Sequence, residues 1–351
     1  MLFKKKKIKN LVFNNRIVVS PMCQYSAYKG SPSKWHYKHL GNLIKSGAGS
    51  LVVESTSISN SGRISKKDLC LFNKEHLKNH KKLIHYLKKI NNIPIILQIS
   101  HAGRKGSTHI PWIKKNSPLS KKSGWQTYAP SSIEKDKGWP IPKKLNKIQI
   151  NLIIDEFQNT TKLAFKAGYD GVEIHMAHGY LLHQFFSPVS NKRNDLFGGS
   201  LKNRIKIHLE IIKKINKITP KDKITGVRIT GNDHLKDGIK EKDCIYLINK
   251  LKKIGLNYAC ISSGGIISVT NMVFKKGFRV KMAEKIKNKT NMIIRSSGEI
   301  YPINYINKIL KEKSLDFIAI GRKFISKPNL LYKNDNTLSY KKIPKQYLRC
   351  F

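Results

Sequence analysis

The segment EIHMAHGYLLHQF, residues 173–185, sets His175 and His178 three residues apart and follows them with Gly179 and Tyr180. A neutral imidazole can donate a hydrogen bond, accept one or ligate a metal, and a phenol carries its proton at neutral pH. Three chemistries fit: a metal site, a clamp for a substrate oxygen with an acid beside it, or core histidines satisfied by their neighbours. No third ligand of suitable spacing stands nearby, and on a strand Glu173 points away from the residues next to it, so the pattern argues against a metal.

Those side chains need a frame. Apolar, β-branched runs of strand length recur eight times, at 17–22, 50–55, 94–100, 171–177, 224–230, 258–264, 291–297 and 317–322. Near-continuous apolar runs suit strands covered on both faces, and the intervals carry helical spacing, at 155–168, 203–216, 241–254, 280–289 and 303–313. Eight such units predict an α/β fold of the (β/α)8 TIM-barrel type, with a doubly wound sheet as the competing architecture. The whole chain, 1–351, reads as a single domain with a tail at 331–351. A stretch at 102–150, rich in Pro, Gly, Ser and Trp, reads as a lid-like insertion after the third strand.

In such a barrel the C-terminal strand ends face the site. They deliver Ser20, Pro21, Met22, Cys23 and Tyr25, then Ser55, Gln98, His175 with His178 and Tyr180, Arg228, Ser262 with Ser263, Ser297 with Gly298, and Gly321 with Arg322. The last two ends offer uncluttered backbone N–H groups and a guanidinium, which predicts a phosphorylated ligand.

Composition bounds the partners. Net charge is +47, yet of 68 basic residues ten are arginines and 58 are lysines spread along the whole chain, which reads as nucleotide bias and not as a nucleic-acid patch. In such a chain each arginine marks a place where a planar, bidentate donor is needed. Five scattered cysteines give neither a disulfide framework nor a metal motif, no apolar run is long enough to span a membrane, and the basic N-terminus lacks a cleavage pattern; a cytoplasmic protein is expected.

RIVVSPMCQYS, LQISHAGRK, WQTYAPSSI, IAIGR and above all residues 167–204 resemble the Old Yellow Enzyme family of FMN-dependent ene-reductases, in its bacterial branch with a cysteine in the first-strand motif and an aromatic insertion like that of the xenobiotic reductases. The resemblance covers nearly the whole chain. It implies FMN, tightly but not covalently held, reduced by NADPH or NADH. Ser20, Pro21, Met22, Cys23 and Ser55 would line the ring, Gln98 would meet its pyrimidine edge, and Arg228 would place positive charge beside N1. The phosphate would lie on Ser297, Gly298, Gly321 and Arg322. His175 and His178 would grip the oxygen of a small-molecule substrate, Tyr180 would donate the proton, and Cys23 and Tyr25 would touch the substrate. Arg349 would come from a neighbouring subunit, which implies a homodimer or homotetramer.

Departures are Arg295 and Ser296, where small residues such as Gly and Ala are commoner, Ser55 for the usual Ala, and TGND after Arg228. The alternative reading is an enzyme like the FMN-dependent tRNA-dihydrouridine synthases. Those carry a C-terminal helical RNA-binding domain, whereas only residues 323–351 follow the last strand here, so nucleic acid is not the expected partner.

Overall fold

A computed structural model describes residues 1–268 and 272–332. Each of the eight apolar runs forms a strand: β1 (Ile17–Val19), β2 (Ser50–Ser57), β3 (Ile95–Ser100), β4 (Gly171–Met176), β5 (Ile224–Thr230), β6 (Tyr258–Ser262), β7 (Ile294–Ser296) and β8 (Phe317–Ile320). All pair in parallel with their sequence neighbours, and β8 pairs with β1, which pairs with β2, so the sheet closes into a barrel.

Strand alternation separates two populations of side chains. Ile17, Val19, Leu51, Val53, Ile95, Leu97, Val172 and Ile174 face outward into a continuous apolar layer shared with the helices. Their neighbours Val18, Val52, Ile96, Ile224, Tyr258 and Phe317 turn inward and form the floor, capped by Ile8 and Phe13 from a hairpin of Lys6–Ile8 and Leu11–Phe13. One level up, Gln98, Glu173 and Gly226 stand side by side in register; the next level holds His175 beside Arg228. An apolar floor below and polar groups above is what a barrel with its site at the C-terminal rim requires.

The predicted helices are present at Glu241–Lys253, Val280–Thr290 and Ile303–Lys311, and the one expected at 203–216 is divided into Leu201–Arg204 and Lys206–Ile218. The helix expected at 155–168 instead runs Lys147–Ala167. Its start is fixed by a capping box, in which Asn146 Oδ1 accepts from Gln149 N and Gln149 Oε1 accepts from Asn146 N, both at 2.9 Å. The apolar stripe fades there because Ile148 and Leu152 face solvent.

The insertion at 102–150 is held by hydrogen bonds within itself and to its surroundings. Arg104 donates to the carbonyls of Ile133, Glu134 and Ile266, and Arg193 to those of Pro130 and Leu145, while a short parallel pair joins Tyr128–Ala129 to Lys143–Lys144. Among the described residues no helix is long and apolar enough to cross a membrane.

Several buried histidines make the fold acid-sensitive. Burial lowers His80 from 6.5 to about 3 and His101 and His208 to about 4. Protons bind the unfolded chain first, so this stability is complete above pH 6.5 and drains away as pH falls toward 4. Each histidine contributes a slope of up to about 1.4 kcal/mol per pH unit. The urea midpoint is therefore expected to drop steeply between pH 6.5 and 4; a flat profile there contradicts the assignment.

Candidate active site

Beyond β4 the chain makes a tight turn through His178, which adopts a left-handed φ of 58°, and Gly179, at 75°. A Cβ on Gly179 would lie 2.1 Å from the Gly265 carbonyl oxygen, so only glycine lets the two loops meet. Every backbone group at the turn is held. His178 N donates to Thr230 Oγ1 at 3.3 Å, and Lys105 Nζ donates to His178 O at 2.7 Å. Gly179 N donates to His183 Nδ1 at 2.7 Å, and Gln184 Nε2 donates to Gly179 O at 2.6 Å. His183 is itself aimed by Asp233, 2.8 Å from its Nε2, and Asp233 accepts from the Ser187 hydroxyl and Ile239 N. The rest of the motif, LLHQ, thus carries the scaffold of the turn.

The turn brings the two imidazoles together. His178 Nδ1 is 3.3 Å from His175 Nε2, and the ring of Tyr180 packs edge-on against His175 with centroids 4.7 Å apart. Burial, then Arg228, hold both imidazoles well below the usual histidine range, so both are neutral at pH 7 and each carries a single N–H. Burial, then Cys23 and Tyr25, raise Tyr180, which keeps its proton. Cys23 is likewise raised, by burial and then Glu54, and remains a thiol. Tyr25, at a left-handed φ of 46°, meets the ring of Trp112 edge-on at 6.1 Å. Among the described residues Trp112 is the insertion tryptophan that packs on a predicted site residue. Trp125 packs with Arg63 and Trp139 with Lys135.

Beside this group lies a cavity of about 570 Å³ whose wall includes eight predicted cofactor residues: Ser20, Pro21, Met22, Arg228, Ser297, Gly298, Gly321 and Arg322. Cys23, Ser55 and Gln98 are not on that wall. The Ser55 hydroxyl pairs with that of Ser100 at 2.6 Å, and Gln98 Nε2 donates to Glu173 Oε1 at 2.8 Å. Arg295 also stays away from it, turning into the barrel to pair with Glu173. Arg349 lies outside the described residues.

Further residues line the cavity, among them Phe274, Phe278, Arg279 and Lys323, which were not foreseen. Arg279 donates from Nε to Ser263 Oγ at 2.8 Å and lies 4.3 Å from the Phe278 ring centre. The wall suits an anionic, ring-bearing guest. Among the described residues Arg228 Nε is buried with no partner and three guanidiniums and Lys323 face one carboxylate, Glu299, while Gly298 at φ 132° leaves room that a Cβ, 3.1 Å from the Phe278 ring, would fill. FMN, with a phosphate at one end and a planar ring at the other, fits this donor set.

A model of the NADH:flavin oxidoreductase / NADH oxidase family matches residues 1–340. The chain belongs to that family. Within it, the chain is 34% identical to the NADPH dehydrogenase of Clostridium acetobutylicum and 33% identical to that of Listeria innocua, each across 100% of this chain and 99% of the relative. Solved structures with the same fold include the Old Yellow Enzyme homologue from Zymomonas mobilis, at TM-score 0.79 and 21% identity over 98% of this chain and 93% of that one. Morphinone reductase matches at 0.77 and 22%, over 97% and 92%. A 2-naphthoyl-CoA reductase matches at 0.86 and 22% over 95% of this chain, which spans only 51% of that protein. The resemblance to the Old Yellow Enzymes and the barrel expected from the strand pattern both hold. This member of the flavin oxidoreductases is an NAD(P)H-dependent FMN enzyme.

Proposed function

We propose that the enzyme reduces activated C=C bonds of small molecules such as enones, with nitro compounds and quinones as further acceptors, in a ping-pong cycle. The observation that supports this most directly is the pair of neutral imidazoles with facing nitrogens 3.3 Å apart, flanked by a protonated phenol and next to a cavity suited to FMN. Bound FMN supplies hydride after loading by NADPH or NADH. His175 and His178 hold the carbonyl oxygen of the acceptor, drawing electron density from the conjugated bond so that its β-carbon accepts the hydride. Tyr180 gives its proton to the α-carbon. With FMN bound, Arg228 would supply positive charge to the reduced ring, Ser55 would line the ring, Gln98 would meet its pyrimidine edge, and Cys23 and Tyr25 would bound the acceptor. Arg349 belongs to the same proposal, as the group a neighbouring subunit presents to the acceptor in a homodimer or homotetramer.

The test is anaerobic. NADPH or NADH is expected to bleach the flavin of the purified holoenzyme, and 2-cyclohexenone is expected to restore its absorbance with formation of cyclohexanone. Bleached enzyme that enones, nitroarenes and quinones all leave bleached would rule the proposal out.

A further inference from the structure

The two-donor clamp requires a particular proton on His178, and Ser262 is placed to control it. Ala177 N donates to His175 Nδ1 at 3.2 Å, so the single proton of this neutral ring sits on Nε2, facing His178 Nδ1. The other nitrogen of His178, Nε2, is 2.6 Å from the hydroxyl of the fully buried Ser262, at the end of β6. That geometry leaves His178 two arrangements. With its proton on Nε2, His178 donates to Ser262 and accepts from His175, which satisfies both rings and offers a substrate oxygen no second donor. With its proton on Nδ1, His178 accepts from the Ser262 hydroxyl, and two N–H groups face one another. Their 3.3 Å separation leaves both within reach of one shared oxygen. Without such an oxygen the second arrangement sets like dipoles together. Only a hydroxyl serves both arrangements, because it can accept from Nε2 or donate to it by rotation.

We propose that Ser262 is the positioning residue that lets His178 exchange tautomers, from a self-satisfied pair in the free site to a two-donor clamp when an oxyanion or carbonyl enters. The proposal rests on the reading of His175 and His178 as the oxygen clamp. The imidazole is neutral in both arrangements: one proton leaves Nε2 to water, one reaches Nδ1 from water, and the Ser262 hydroxyl hydrogen turns onto the vacated nitrogen. Neutrality is secured by burial and by Arg228, with Arg279 and Lys105 adding to it on the His178 ring.

The holoenzyme carrying 15N-labelled histidine gives the readout, with 4-nitrophenolate as probe. Long-range nitrogen–proton correlation spectra are expected to place the His178 proton on Nε2 in the free enzyme and on Nδ1 when the probe is bound. Ser262→Ala is expected to weaken 4-nitrophenolate binding about tenfold with FMN affinity unchanged, and Ser262→Thr, which keeps the hydroxyl, to restore both affinity and exchange. An identical His178 tautomer in both states, or S262A binding within about twofold of wild type, overturns the inference. Failure of the parent reading is seen separately, in a wild-type enzyme that neither binds the probe nor reduces 2-cyclohexenone; that result removes both, whereas wild-type turnover with an unmoved proton removes only the role of Ser262.

Discussion

Replacing His175 and His178 together with alanine is expected to lower kcat/KM for 2-cyclohexenone by about 10³- to 10⁴-fold, with FMN content unchanged. One preorganised donor to a developing oxyanion is worth about 3 kcal/mol in well-studied hydrolases, and each 1.4 kcal/mol is about tenfold in rate. Two donors on one oxygen do not act independently. Each single variant is expected to lose about 10²-fold, and the double variant less than the product of the two. The site favours a large effect because burial and Arg228 keep both rings neutral, so acceptor binding meets no imidazolium that water has already satisfied. Neither histidine is on the wall of the FMN cavity, so cofactor retention separates a chemical loss from a collapsed site. Steady-state NADPH consumption with the enone decides: a double variant keeping about a tenth of wild-type kcat/KM contradicts the clamp.

The sequence made the barrel legible because its strands are buried on both faces. Runs such as PIILQIS and ITGVRIT stand out against helices whose exposed faces are rich in lysine and other polar residues. Where that contrast failed, so did the boundary: Ile148 and Leu152 expose apolar groups on the first turns of the helix at Lys147–Ala167, and only the Asn146–Gln149 cap marks its start. The site was legible where strand ends carry unusual side chains. Arg228 and Arg322, both on the cavity wall, were picked out as strand-end residues, and the rule that arginine is informative in a lysine-rich chain would have added Arg279 had it been applied outside the strands. Ser262 could not be singled out, since a serine at a strand end reads the same whether it meets solvent or an imidazole. Nor could the pairing of His183 with Asp233, which joins positions fifty residues apart in sequence that the parallel pairing of β4 with β5 brings to 2.8 Å.

The Arg295–Glu173 pair sets two charged groups against one another inside the barrel. Arg295 puts a guanidinium beside Glu173, which is wholly buried and also accepts from Gln98 Nε2 at 2.8 Å and from the Tyr258 hydroxyl at 3.0 Å. Removing one member of a buried pair leaves the other charge without compensation, at a cost of about 3–5 kcal/mol, whereas replacing both by neutral groups of similar size is close to neutral. Arg295→Met is thus expected to destabilise the protein by about 3–5 kcal/mol, and Glu173→Gln by a similar amount. The double variant should recover most of the loss, because the amide keeps a partner for Tyr258 and the thioether fills the guanidinium's volume. Urea unfolding of all four proteins, with FMN held at saturation, measures the coupling. An Arg295→Met enzyme within about 1 kcal/mol of wild type would mean that the cation does not compensate Glu173. The two donors that remain on Glu173, Gln98 Nε2 and the Tyr258 hydroxyl, would then suffice to keep that carboxylate inside the barrel.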